Sequence, residues 1–153
     1  MQNTHNLEKL GGALIDLIGF LNSPQRDDAL LEEAGVRLDR ALFPLLVALD
    51  ARGALGVTEL ADLVGRDHTT VSRQLAKLQG LALVERLEGD ADRRKRAAQL
   101  TNDGRSIAKA ITLARHRLLS RVLADWSEAD RAALADMNRR FAEALIGSAQ
   151  KRT

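Results

Sequence analysis

Gly65-Arg66-Asp67 separates two short apolar-periodic runs, and this spacing is the strongest constraint in the chain. Upstream, Leu60, Ala61, Leu63 and Val64 lie on one side of a short predicted helix that Thr58 can cap and that Gly65 can close in a left-handed conformation. Downstream, Asp67 can cap a second helix, "HTTVSRQLAKLQ", leaving Arg66 for the turn. Val71, Leu75 and Leu78 recur at i, i+4 and i+7, an arc of about 60° at the helical period. The opposite face carries Thr69, Thr70, Arg73, Ala76 and Lys77 and no acidic residue. Two short helices on a tight turn, the second with small and cationic residues outward, have the form of a helix-turn-helix able to enter a major groove.

The helix pair alone is equally well read as an ordinary amphipathic surface. The residues after Gly80 shift the balance. "LALVERLE" has strand composition, "GDAD" reads as a turn and "RKRAAQLT" as a return strand, so a β-hairpin comes directly after the second helix. At its tip stands Arg93-Arg94-Lys95-Arg96, in a chain of 23 Lys+Arg against 21 Asp+Glu. With the whole chain so nearly neutral, the cations are a local feature. A charge run alone is more often a solvated loop, or a basic import signal. At the tip of a hairpin beside a groove-reading helix, it falls where a narrow minor groove's negative potential attracts Arg.

Outside this middle the chain reads as helices. Leu7, Leu10, Leu14, Leu17, Ile18 and Leu21 form a first stripe, stopped by Ser23-Pro24, and a short helical piece through Ala29–Glu33 comes next. Asp39 can cap the next helix, which carries Leu42, Leu45, Leu46 and Leu49. Pro44 within it implies a kink, or a helix that restarts with Pro44 in its first turn. Ile107, Ile111, Ala114, Leu118 and Val122 mark a long helix from Asn102 to Ala124. Ser127 and Asp130 have the capping-box spacing ahead of a last helix with Leu134, Met137, Phe141 and Leu145. These terminal stripes lie far in sequence from the middle and need a partner surface.

Several function classes recede. With no cysteine there is no disulfide, thiolate metal site or thiol sensor, and His5, His68 and His116 are not at ligand spacing, so no metal site or cofactor is expected. Aromatic residues make up 3%, with no Tyr and one Trp, which leaves little for stacking single-stranded nucleic acid. No nucleophile–base pair or phosphate-cradling Gly loop points to an enzyme. No apolar run reaches the roughly 18 residues of a membrane span, and "MQNTHNLEKL" lacks the pattern of an export signal, so a cytoplasmic protein is expected.

From "VTELADLVG" through "LTNDG" the sequence resembles the MarR family of winged-helix transcription regulators. The specific parts are the Thr-Val-Ser-Arg core of the second helix, "GLALVER", and the Asp-x-Arg…Leu-Thr-x-x-Gly wing. The flanking helices agree in order and length. The resemblance implies a mainly α single domain over 1–153, with a winged helix-turn-helix lobe over 36–100, a small β-hairpin wing, and N- and C-terminal helices, 5–22 and 102–147, forming a dimerisation lobe. It places the DNA contacts at Thr69, Thr70, Ser72, Arg73 and Lys77, with His68 and Gln74 at the margin. In the wing, Asp92 would hold Arg94 for the minor groove, with Arg93 and Lys95 on phosphates. The implied function is a homodimeric, sequence-specific repressor of an inverted-repeat double-stranded operator, released by a small-molecule effector of unknown identity. The alternative is a constitutive or architectural DNA-binding protein without an effector; a winged helix used as a protein-interaction module is a third reading. Pro44 and Ala82 depart from the family's habit.

Overall fold

The computed structural model describes residues 2–87 and 97–151. The fold is mainly α, with seven helices and one two-stranded antiparallel sheet among the described residues: α1 Gln2–Leu21, α2 Pro24–Ala34, α3 Phe43–Arg52, α4 Val57–Val64, α5 His68–Gly80, β1 Val84–Arg86, β2 Ala98–Leu100, α6 Asn102–Val122 and α7 Glu128–Gln150. It divides into two compact units, Met1–Arg115 and His116–Thr153.

The first unit holds the hydrophobic core. α3 packs on α4 and α4 on α5, while β1 lies against α5 and β2 against α3. Leu45, Leu46, Leu60, Val71, Leu75 and Leu78 are all fully buried at 0% exposure. Each such side chain contributes about 1.5–3 kcal/mol of transfer free energy. From α6, Ala108 joins the core, and Ile111 and Ala114 are buried one and two turns further on.

Local signals explain most boundaries, with three corrections. The piece expected at Ala29–Glu33 is the longer α2, which starts at Pro24 because a first-turn residue needs no N–H and proline's fixed φ suits that position. Its C-cap, Gly35, is left-handed at φ 67°. Asp39 does not cap α3; its Oδ1 accepts from the Ala41 N–H at 2.9 Å in the preceding turn, and the helix begins at Phe43 with Pro44 in its first turn. Thr58 is likewise inside the first turn of α4, whose N-cap position is Gly56 in extended conformation (φ −72°, ψ 163°). The left-handed Gly65 stop and the Asp67 cap are formed as the sequence requires.

Of the expected hairpin, the described residues form its base. Val84, Glu85 and Arg86 pair with Leu100, Gln99 and Ala98, and one further rung runs from the Leu87 N–H to the Ala97 carbonyl at 2.8 Å. On its other edge Ala98 exchanges both backbone bonds with Leu55, at 2.8 and 3.0 Å, so the segment "RGALG" adds a one-residue third strand. This pairing fills the edge of β2 and ties the wing's base to the end of α3.

The α5–β1 connection ends in an αL residue that is not glycine. Ala82 has φ 58°, the Leu83 N–H reaches back to the Leu78 carbonyl at 3.0 Å, and the Ala82 N–H bonds to the Gln79 carbonyl. This is a Schellman closure with alanine at the left-handed position, while Gly80 remains inside the helix. Thr101 secures the same turn: its Oγ1 donates to the Ala82 carbonyl at 2.7 Å and accepts from the Gly104 N–H at 3.1 Å, so one hydroxyl closes the α5–β1 turn and caps α6.

In the second unit the Ser127 hydroxyl accepts from the Asp130 N–H at 3.1 Å and starts α7, as the capping-box spacing requires. Arg131 donates to the Leu123 and Ala124 carbonyls, closing the end of α6. Neither α1 nor α7 has a buried residue. No helix among the described residues is long and apolar enough to cross a membrane.

Candidate nucleic-acid interface

Each residue of the Gly65-Arg66-Asp67 turn fixes the second helix in a different way. Gly65 supplies the left-handed step, and the Arg66 N–H then reaches the Ala61 carbonyl at 3.0 Å, closing α4. Asp67 opens α5: one carboxylate oxygen accepts from the Thr70 N–H at 2.8 Å, the other from the Thr70 hydroxyl at 2.6 Å. The Thr70 hydroxyl, then its N–H, hold the Asp67 carboxyl below its ordinary range, with Arg73 adding to the same effect. The start of α5 is therefore set by bonds made within four residues.

Burial then fixes the rotation of α5. With Val71, Leu75 and Leu78 locked into the core, His68, Thr69, Ser72, Arg73, Ala76 and Lys77 are exposed together on the outer face. That face holds hydroxyls, an imidazole and two cations and carries no carboxylate. Small Ala76 and Ser72 let a backbone approach, and Arg73 and Lys77 have the reach for base edges or phosphates.

The remaining candidates differ in position. Thr70 is half-buried and its hydroxyl proton is given to Asp67. Gln74 is half-buried on the flank of the helix, where its Oε1 accepts from Arg66 Nη1 at 2.8 Å. The same nitrogen donates to the Ala41 carbonyl at 2.6 Å. Arg66 thus links the turn before α3 to the side of α5, a connection that sequence reading missed. Its only trace in the sequence is a lone cation between a helix stop and a helix cap. Asp92, Arg93, Arg94 and Lys95, the wing residues expected to meet DNA, lie outside the described residues.

The base of the wing is closely packed. Gly104 sits so close to Leu83, the residue just ahead of β1, that a Cβ there would lie 2.1 Å from the Leu83 carbonyl oxygen. That oxygen accepts from the Thr101 N–H at 3.0 Å. The Leu-Thr-x-x-Gly pattern therefore describes a junction: Leu100 is buried, Thr101 caps α6, and Gly104 lets α6 approach β1.

Comparison with known proteins agrees with this architecture. A protein-family model described as HVO_A0114 matches residues 38–100. An uncharacterised HTH-type transcriptional regulator, YxaD of Bacillus subtilis (strain 168), is 30% identical over 109 residues, covering 71% of this chain and 76% of that protein. Among solved structures, a MarR family protein from Bacillus stearothermophilus superposes with a TM-score of 0.74 at 21% identity, over 95% of this chain and 96% of that one. BpsR of Bordetella bronchiseptica, a protein whose DNA binding is regulated by 6-hydroxynicotinic acid, superposes with a TM-score of 0.61 at 23% identity, over 88% and 98%. The solved structures establish the fold and the B. subtilis relative the class. With the exposed face of α5, the Leu55-braced hairpin and these relatives in view, the chain belongs to the HTH-type transcriptional regulators, proteins of regulation rather than enzymes, and its fold is the winged helix-turn-helix of the MarR family.

Proposed function

We propose that this chain is a homodimeric, sequence-specific repressor that reads double-stranded DNA with α5 and is released by a small anionic or aromatic ligand. The observation that carries the reading is the outer face of α5, where Thr69, Ser72, Arg73 and Lys77 are exposed together without a carboxylate while the opposite stripe is fully buried. Arg73 is the base reader, Lys77 and His68 phosphate contacts, and Asp92, Arg93, Arg94 and Lys95 extend the contact along the adjacent minor groove. Ligand release is supported by the likeness to BpsR, whose DNA binding a small aromatic acid regulates. Dimerisation is supported by the uncovered apolar side chains of α1 and α7, among them Ile15 at 72% exposure and Met137 at 59%. Such a regulator works in the cytoplasm, on the chromosome.

Duplex binding measured by fluorescence anisotropy tests the reading. The selected operator is an inverted repeat with half-site centres roughly 10 bp apart or a multiple of that. Affinity falls steeply with salt. Arg73→Ala costs about 1–3 kcal/mol on the operator and less on random duplex. Equal loss on both sequences removes Arg73 as a base reader, and absence of salt-sensitive binding removes the DNA-reading function. A melting-temperature screen against phenolic and pyridine carboxylates tests release; no ligand that both raises the melting temperature and weakens DNA binding would leave a constitutive binder.

A further inference from the structure

Arg66 is half-buried, and a single guanidinium nitrogen serves two acceptors, the Ala41 carbonyl at 2.6 Å and Gln74 Oε1 at 2.8 Å. A guanidinium has donors only, so the atom of the Gln74 amide that faces it must be the oxygen. The chemistry itself therefore fixes which way the amide points. Gln74 is three residues from Val71, which sets it on the flank of α5, between the buried stripe and the exposed face.

A side-chain amide reads adenine by using both ends: its oxygen accepts from N6 while its nitrogen donates to N7. In this structure the oxygen end is already held by a charge-assisted bond. That oxygen keeps a second lone pair, but an adenine amino group brought to it would meet the positive N–H groups of Arg66, which disfavours the adenine pairing. What Gln74 retains for DNA is the pair of Nε2 hydrogens, which match an edge of two acceptors, N7 and O6 of guanine. We propose that Arg66 is a specificity-determining positioning residue: by holding Gln74 Oε1 it turns Gln74 into a donor-only reader that selects a G·C pair and rejects A·T. Arg66 does not touch DNA and acts through Gln74. The inference rests on α5 being the DNA-reading helix.

The test uses the full-length protein and an operator selected from random duplex. Each base pair of one half-site is substituted in turn, and affinity is measured at fixed salt for wild type, Gln74→Ala, Arg66→Ala and the double variant, with melting temperatures alongside. The expected result is one position where wild type prefers G·C to A·T by at least about fivefold and where Gln74→Ala has no preference. At that position Arg66→Ala raises A·T relative to G·C by a similar factor, and the double variant behaves as Gln74→Ala. A merely structural Arg66 would lower affinity for all sequences alike and leave that ratio unmoved, which overturns the proposal. So does a Gln74-dependent position that prefers A·T, or a sequence-specific wild type in which no position depends on Gln74. Should Arg66→Ala fail to fold, wild type against Gln74→Ala still decides, since alanine is well tolerated on a helix flank. A wild type that binds every duplex equally, or none, overturns the DNA-reading role of α5 itself, before Gln74 is reached.

Discussion

The α-carbon of Gly104 stands so near the backbone of Leu83 that a single added methyl would lie 2.1 Å from the Leu83 carbonyl oxygen. The obstacle is backbone, which cannot swing away as a side chain would. Gly104→Ala must therefore push α6 off β1 and disturb the Thr101 bonds to Ala82 and Gly104. The expected cost is about 3 kcal/mol, read as a lowered urea midpoint; a midpoint unchanged from wild type would show that the junction yields easily.

Ala82 makes the opposite prediction. At φ 58° an L-residue is held in the left-handed region, at a cost of about 1–2 kcal/mol that glycine does not incur. Ala82→Gly should raise stability by about 1 kcal/mol after glycine's greater unfolded-state entropy is counted, and Ala82→Val should lower it. Thermal unfolding of the pair checks the sign.

Asp67 caps α5 through two bonds from Thr70, and its carboxyl is held below the ordinary value of 3.8. Since the folded pKa is the depressed one, the cap's electrostatic contribution is fully present above the unfolded value and is lost as pH falls through the folded one. Asp67→Ala should therefore lower the melting temperature at neutral pH, and the gap to wild type should narrow as pH drops from the ordinary carboxylate range to below it. Asp67→Asn, which still offers an oxygen acceptor, should recover most of the loss at neutral pH and show no such narrowing. A gap that stays constant down to about pH 2, well below the ordinary carboxylate range, would assign the effect to something other than the ionised cap.

The second unit tests association. Leu145 and Ile146 are 51% and 54% exposed on α7, more apolar surface than a soluble helix face usually carries without a partner. Light scattering at micromolar concentration should find a dimer, and Leu145→Asp should shift it to monomer or unfold it. A monomeric wild type would contradict the proposed assembly.

For the wing, the informative variant is the one with the counterintuitive sign. If Asp92 orients Arg94 for the minor groove, Asp92→Ala weakens operator binding even though it removes a negative charge near DNA. Arg94→Ala should cost about 1–3 kcal/mol of binding with little change in melting temperature. Arg93→Ala or Lys95→Ala should each reduce the salt slope by about 1 per lost phosphate contact. Tighter binding by Asp92→Ala at physiological salt would reduce the cations to a diffuse patch.

Sequence alone determined whatever is decided within a turn or two of chain. Asp67 needs only Thr70 to start α5, Ser127 needs only Asp130 to start α7, and Gly65 needs no neighbour to turn left-handed. Val71, Leu75 and Leu78 declare the buried face of α5 by spacing, and with it the exposed one. Where a local signal had a competitor, as at Asp39 and Thr58, the actual helix start moved by two or more residues, because a proline suited the first turn of α3 and an extended glycine the N-cap of α4. Tertiary structure decided the rest. Leu55 pairs with Ala98, Gly104 meets Leu83, and Arg66 reaches both Ala41 and Gln74, across separations of 43, 21, 25 and 8 residues. None of these contacts leaves a periodic trace, because an isolated backbone edge, a missing methyl or a single guanidinium acquires its partner only when packed helices bring distant backbone within bonding distance.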